Sequence, residues 1–245
     1  MQVAARMQAR IAAAGTVVRA HGADGEAARR ALLAGSRIAV VGAGPAGSLF
    51  STFVLRAARR LDLVLSLDLY EPRDFSAKGP VGCNMCGGIV SETLVQNLAL
   101  DGVFLSSDVI QRGIDSYVLH TDVGSVRLAS PSDEVRIGAV HRGGGPRDVA
   151  EPKWESFDHH LLTRAVERGA RVIHARVEEV GREDGRPTIR THDGEPQVYD
   201  LAVVATGVNT SILKTFEGLG IGYERPRLTK TLIREYYLGD EAINA

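Results

Sequence analysis

The stretch "IAVVGAGPAGSLFSTFVLRAA", residues 38–58, decides the fold. Ile38, Ala39, Val40 and Val41 form a short apolar, β-branched run that reads as a strand. Gly42, Gly44 and Gly47 follow in the pattern G-x-G-x-x-G, and an apolar helical pattern runs on to Arg60. Pro45 falls near the first turn of that helix, where its missing N–H costs little. Strand, glycine loop and helix in this order are the context a dinucleotide pyrophosphate requires. Gly42 permits the tight turn, Gly44 lets the backbone approach the phosphates, and Gly47 lets the helix lie close to the strand. The helix start offers unbonded N–H groups and the positive end of a dipole. The loop Gly42, Ala43, Gly44, Pro45, Ala46 and Gly47 is therefore the expected phosphate cradle.

A chain of 245 residues suits one large domain or two small ones. A net charge of −1 leaves no electrostatic footprint for nucleic acid. Apolar runs stay well short of the roughly 18 residues a membrane span needs. Two cysteines do not make a disulfide framework, and they point to a reducing, cytoplasmic setting. The first 19 residues carry Arg6, Arg10 and Arg19 and no acid, a composition shared with organelle transit peptides. The simpler reading, adopted here, is an alanine-rich helical extension over 1–35, with 36–245 as the cofactor-binding domain.

The pattern along the chain alternates. Strands are expected at Arg37–Gly42 and Leu63–Tyr70, with the helix Pro45–Arg60 between them. A loop over 74–88 leads to a short helix capped by Ser91 and ending near Leu100. Tyr117–Thr121 and Ser125–Ala129 read as a hairpin. "SFDHHLLTRAVERGA" is helical, with Phe157, Leu161, Ala165 and Val166 expected on one face and Gly169 just past its end. "RVIHARVEEV" is expected as one strand, further strands flank the turn "HDGE", and Leu201–Ala205 reads as a parallel strand buried on both faces. The class is α/β with antiparallel strands inserted.

An acid closing the second strand of such a unit grips a ribose through its hydroxyls. Glu71, at the end of "LDLYE", is in that place, and Asp68 is the competitor. A carboxylate there would repel a 2′-phosphate, so the expected adenosine is unphosphorylated.

"GAGPAG" followed downstream by "DLAVVATGVNT" resembles the FAD-dependent oxidoreductases of the glutathione-reductase-like class. The resemblance implies a three-layer Rossmann-like FAD-binding domain of parallel sheet, helices and an inserted antiparallel β-meander. It also implies that Ala205, Thr206 and Gly207 approach the same dinucleotide from a second strand. Val177, in the strand after the Gly-Ala pair, takes the position that sets a backbone group against the adenine. The implied cofactor is FAD, with NAD(P)H as electron donor.

"GPVGCNMCGGIVSETLVQNL" carries a Cys-Gly-Gly at Cys86, Gly87 and Gly88 and resembles the geranylgeranyl-reductase-like flavoproteins. Those enzymes saturate isoprenoid double bonds, and their loop lies beside the flavin. The resemblance implies a role for Cys86 in catalysis, and it makes Arg142, in "HRGGGP", a candidate for cofactor or loop contacts. Read from the residues alone, Cys83-x-x-Cys86 also fits a redox dithiol, a zinc half-site lacking two further ligands, or two ordinary loop thiols. No metal is assigned. Trp154 is expected to pack under the Pro152 loop. His159–His160 reads as one packed and one solvated imidazole. The run Glu235–Tyr237 fits a substrate face or strand packing equally.

Complete members of that family continue into a substrate domain and return with a Gly-Asp motif. Here "YLGD" at Tyr237–Asp240 comes too early, so an incomplete FAD-binding domain is expected. The resulting expectation is an FAD-dependent oxidoreductase that reduces a carbon–carbon double bond of an apolar, isoprenoid-like substrate, with peripheral membrane contact through that lipid. The rivals are an aromatic-hydroxylase-type monooxygenase and a non-catalytic dinucleotide-binding subunit.

Overall fold

The computed structural model describes residues 32–77, 88–130, 137–143, 155–207 and 211–229. Strand β1 (Arg37–Val41) lies inside a four-stranded parallel sheet, between β12 (Leu201–Val204) and β2 (Ser66–Tyr70), with β8 (Arg171–Ile173) beyond β2. The short apolar run explains the central place: Ile38, Ala39, Val40 and Val41 are all buried. Alternation then divides the sheet into two faces.

One face carries Ile38, Val40, Leu67 and Leu69. It packs against helix α1 (Pro45–Arg60) through Leu55, and against α3 (Phe157–Glu167) through Leu162 and Ala165. In α1 the residues that turn inward are Gly47, Ser48, Ser51, Thr52, Leu55 and Ala58, the three-and-four spacing of one helical face. Most are small, so the helix lies close to the strands. The other face carries Ala39, Val41 and Tyr70 and is covered by Val177, Val180, Ile189 and Tyr199. All but Tyr199 belong to the antiparallel sheet β9 (Val177–Glu183), β10 (Arg186–Thr191) and β11 (Gln197–Val198); Tyr199 directly follows β11. Helices, parallel sheet and meander make the three layers expected. Each fully buried aliphatic side chain in these cores contributes roughly 1.5–3 kcal/mol.

A third cluster stands beside them. Strands β3 (Ile89–Ser91), β7 (Ile137–Val140) and β4 (Ile110–Ile114) form an antiparallel sheet. Val90, Val140 and Val109 pack with Leu98 of α2 (Glu92–Leu100) and with Phe157 and Leu161 of α3. Ser91 caps α2 by accepting from Leu94 N at 3.2 Å. The hairpin β5 (Ser116–Thr121) and β6 (Gly124–Ala129) forms as expected. A short helix α4 (Leu213–Glu217) packs Phe216 on the meander side.

Several expectations need correcting. "RVIHARVEEV" is two strands: Ala175 N–H bonds back to Ile173 O at 2.8 Å, and the chain leaves the parallel sheet for the meander. The second strand begins at Ser66, not Leu63. Val166 lies nine residues after Phe157, half a turn out of phase at about 100° per residue, and is 45 % exposed. Strand β12 has both faces covered but is half-buried, because it is an edge of its sheet among the described residues. Strands β3, β4 and β7 were not anticipated. The segment 1–31, Trp154 and Glu235–Asp240 lie outside the described residues, as do residues 79–87 of the Cys-Gly-Gly segment.

Candidate functional site

The glycine loop emerges at the carboxyl end of β1, where open α/β sheets place their ligands. Gly42 N–H bonds to Tyr70 O at 2.8 Å, and Ala205 N–H bonds to Val41 O at 2.8 Å, so the ends of β2 and β12 flank it. Gly42 has φ +99°, and a Cβ there would stand 2.8 Å from Ala205 O and 3.0 Å from Thr206 Cα. The turn and the second strand touch at that point, and only a glycine fits. A Cβ on Gly47 would lie 1.9 Å from Gly42 O. Around Gly44, by contrast, a Cβ would meet no atom within 4 Å. The space over Gly44 is open, while Gly42 and Gly47 are closed against the protein's own backbone.

Gly44 is the N-cap of α1 and Pro45 its first residue. The first turn has no side-chain cap and no acid, which leaves Ala46 and Gly47 N–H without intrahelical acceptors. Ser48 Oγ donates to Ala43 O at 2.7 Å and holds the loop to the helix. Thr206 Oγ1 is buried and has no hydrogen-bond partner among the described residues. A buried hydroxyl left so costs about 1–3 kcal/mol, and this one stands at the junction with Gly42.

Glu71 follows β2 and is only 2 % exposed. Its Oε2 accepts from Ala43 N at 3.0 Å and from Arg73 Nη2 at 3.2 Å. Its Oε1 accepts from Arg73 N at 3.1 Å and Nε at 2.9 Å. The carboxylate is thus tied directly to the glycine loop. Asp68, the competitor, faces the meander: Arg171 holds it bidentately at 2.8 and 2.9 Å, and Tyr199 donates to it at 2.8 Å. Tyr199 in turn shares a 2.6 Å bond with Tyr70. Burial pushes the Asp68 carboxyl up, but the hydrogen bonds from Arg171 and Tyr199 outweigh it and hold it below its ordinary value. Burial raises both Tyr70 and Tyr199. This network fastens meander to sheet. A cleft of about 260 Å³ beside it is lined by Arg37, Tyr70, Arg171 and Tyr199.

Val177 opens β9 with its side chain buried in the meander core. Gly207, at φ +71°, has open space around it. Arg142 makes a bidentate pair with Asp158 at 2.8 and 2.7 Å, joining the segment after β7 to the start of α3. Gly143 N–H to Ser156 Oγ at 2.9 Å and Phe157 N–H to His141 O at 2.7 Å strengthen the same joint. His160 is buried, its Nε2 2.9 Å from Phe104 O, while His159 is half-buried. Gly88, at φ +66°, accepts from Val140 N–H at 2.7 Å, but Cys83, Cys86 and Gly87 lie outside the described residues. Loop, Glu71 and Ala205–Gly207 come together; Arg142 pairs with Asp158 where the segment after β7 meets α3. Sequence reasoning passed over Arg73 and the pair Tyr70–Tyr199. "EPR" was a usable signal for the first, since an arginine two residues after a strand-end acid can fold back on it.

No protein family and no curated protein sequence matches the chain. Solved structures do share its fold. It is similar to the Diels-Alderase PyrE3 of pyrroindomycin biosynthesis at 19 % identity and TM-score 0.52, over 74 % of this chain and 34 % of that one. The flavin-dependent brominase Bmp2 is 17 % identical with TM-score 0.51, over 71 % and 38 %. A point variant of the halogenase PltM in complex with FAD is 15 % identical with TM-score 0.50, over 74 % and 36 %. The chain therefore spans little more than a third of the length of these structures.

Proposed function

We propose that this chain is the FAD-binding part of a flavin-dependent oxidoreductase. The observation that carries the reading is the buried Thr206 hydroxyl, without a hydrogen-bond partner among the described residues where β12 meets Gly42, together with a loop in which Gly44 alone of the three glycines has open space around it. The residues fit a dinucleotide. Ala46 and Gly47 N–H would bind the pyrophosphate, Glu71 the adenosine ribose, the start of β9 at Val177 the adenine, and Ala205–Gly207 the flavin half. Bound FAD would supply the hydride chemistry, and the protein orientation and electrostatics. A fold shared with a halogenase crystallised with FAD supports the choice of cofactor.

The Cys-Gly-Gly resemblance favours reduction of a carbon–carbon double bond in an apolar, isoprenoid-like substrate, with NAD(P)H as donor and Cys86 beside the flavin. Peripheral membrane contact would follow from a lipid substrate; among the described residues no helix is long and apolar enough to cross a membrane. A monooxygenase-type reaction is the second reading, favoured by the fold shared with a flavin-dependent brominase. Oxygen consumption separates the two.

The test of cofactor binding is Thr206→Val. Removing an orphaned hydroxyl should leave the flavin-free protein as stable or more stable, while FAD binding weakens by about 1 kcal/mol, roughly fivefold. Absence of FAD binding in the wild type, or equal affinity in the variant, would overturn the assignment.

A further inference from the structure

The Glu71 carboxylate has about four acceptor positions on its two oxygens, and four donors occupy them: Ala43 N, Arg73 N, Arg73 Nε and Arg73 Nη2. Two of the four are main-chain groups whose positions the loop and the chain fix. The other two are the guanidinium fork, and the Arg73 side chain is 43 % exposed while that of Glu71 is 3 % exposed. The fork lies over the ring of Phe75, 5.1 Å from its centroid, and Phe75 is itself buried. A ribose 2′,3′-diol also presents two donors side by side. It can bind both oxygens of Glu71 only where the two guanidinium N–H groups now stand.

We propose that Arg73 is a latch on the ribose acid. It closes the Glu71 carboxylate with a fork that imitates the vicinal diol, and an adenosine ligand binds by displacing it. The proposal rests on the assignment of Glu71 to the ribose. The latch keeps a buried carboxylate paired when no ligand is bound, and it makes a complete diol the key that opens the site. A ligand with a single hydroxyl replaces two donors by one and leaves an acceptor unfilled. Affinity is lowered by the fraction of molecules in which the latch is open. An Arg73 that instead merely positioned Glu71 would raise affinity, so the two roles have opposite signs.

The experiment titrates the full-length, flavin-free chain with FAD, ADP and 2′-deoxy-ADP, following flavin fluorescence for the first and heat for the others. Wild type, Arg73→Ala and Arg73→Lys are compared, with thermal unfolding recorded for each. The latch predicts that Arg73→Ala binds FAD and ADP about 5- to 50-fold more tightly, since the closed fraction is removed. Arg73→Lys, which keeps the charge without the fork, should fall between, and it decides the matter if the alanine variant fails to fold. The preference for ADP over 2′-deoxy-ADP should persist in all three, because Glu71 still reads the diol. Unchanged or weaker ADP and FAD binding in the variants overturns the latch and leaves the ribose assignment standing. Failure of the wild type and both variants to bind FAD or ADP overturns the functional assignment and the latch together.

Discussion

Gly47→Ala and Gly44→Val should damage different properties, although both replace a glycine of one loop. At Gly47 the new Cβ would lie 1.9 Å from Gly42 O and 3.2 Å from Val40 Cγ1. The backbone contact must open by roughly 1.5 Å to reach an ordinary separation of about 3.5 Å. Neither side can yield freely, because Gly42 N–H is bonded to Tyr70 O and Ser48 Oγ to Ala43 O. Overpacking of this kind costs about 1–3 kcal/mol, and a strained Ser48–Ala43 bond adds about 1 kcal/mol. Against this, alanine gains up to about 1 kcal/mol of helix propensity. The net loss is about 1–3 kcal/mol, and for a chain of this size the melting temperature falls by about 2–12 °C. Gly44 has φ −60° and ψ −176°, extended backbone that any residue adopts, and open space around it. Valine there loses only N-cap preference, under about 1 kcal/mol. Its side chain would, however, occupy the space assigned to the pyrophosphate, so FAD affinity should fall more than about 100-fold. Circular dichroism melts without flavin and fluorescence titration with FAD read the two effects separately. Should Gly44→Val melt as low as Gly47→Ala, or bind FAD like the wild type, the division of roles is refuted.

Other consequences concern the joints around the site. Asp68→Asn should destabilise by about 1–2 kcal/mol through loss of the charge-assisted bonds from Arg171 and Tyr199. The folded Asp68 is held below its ordinary value of 3.8, so its contribution is fully present above about pH 4 and is lost as pH falls through the lower folded value. Urea melts of wild type and variant should therefore converge in acid; a gap that widens there would sink the assignment. Tyr199→Phe leaves the Tyr70 hydroxyl and Asp68 each one bond short and should cost about 1–2 kcal/mol, whereas a neutral result would mean the phenols add nothing. Asp158→Asn should loosen the Arg142 joint and lower stability by about 1–3 kcal/mol, a buried carboxylate having lost its charge beside an arginine, with FAD affinity little changed. A large selective loss of affinity would return Arg142 to the cofactor.

Local pattern carried much of this protein. A β-branched run, three spaced glycines and a helical stripe suffice for β1, the loop and α1, because each depends on neighbours a few residues away. The helix Pro45–Arg60 and the cap at Ser91 follow from the same short-range chemistry. Glu71 was legible as the strand-end acid, since position in the β-α-β unit specifies it. Other features had no local signature. Strands β4 and β7 exist through pairing across intervening chain, and "RVIHARVEEV" divides because its two halves join different sheets. Asp68 and Glu71 are both strand carboxylates in sequence. Tertiary packing alone sends the first under the meander, to Tyr199 and Arg171, and the second to the glycine loop. The close approach of Ala205 and Thr206 to Gly42 is likewise a contact between residues far apart in the chain. A residue's type states which bonds it can make; the fold states which of those partners come within reach.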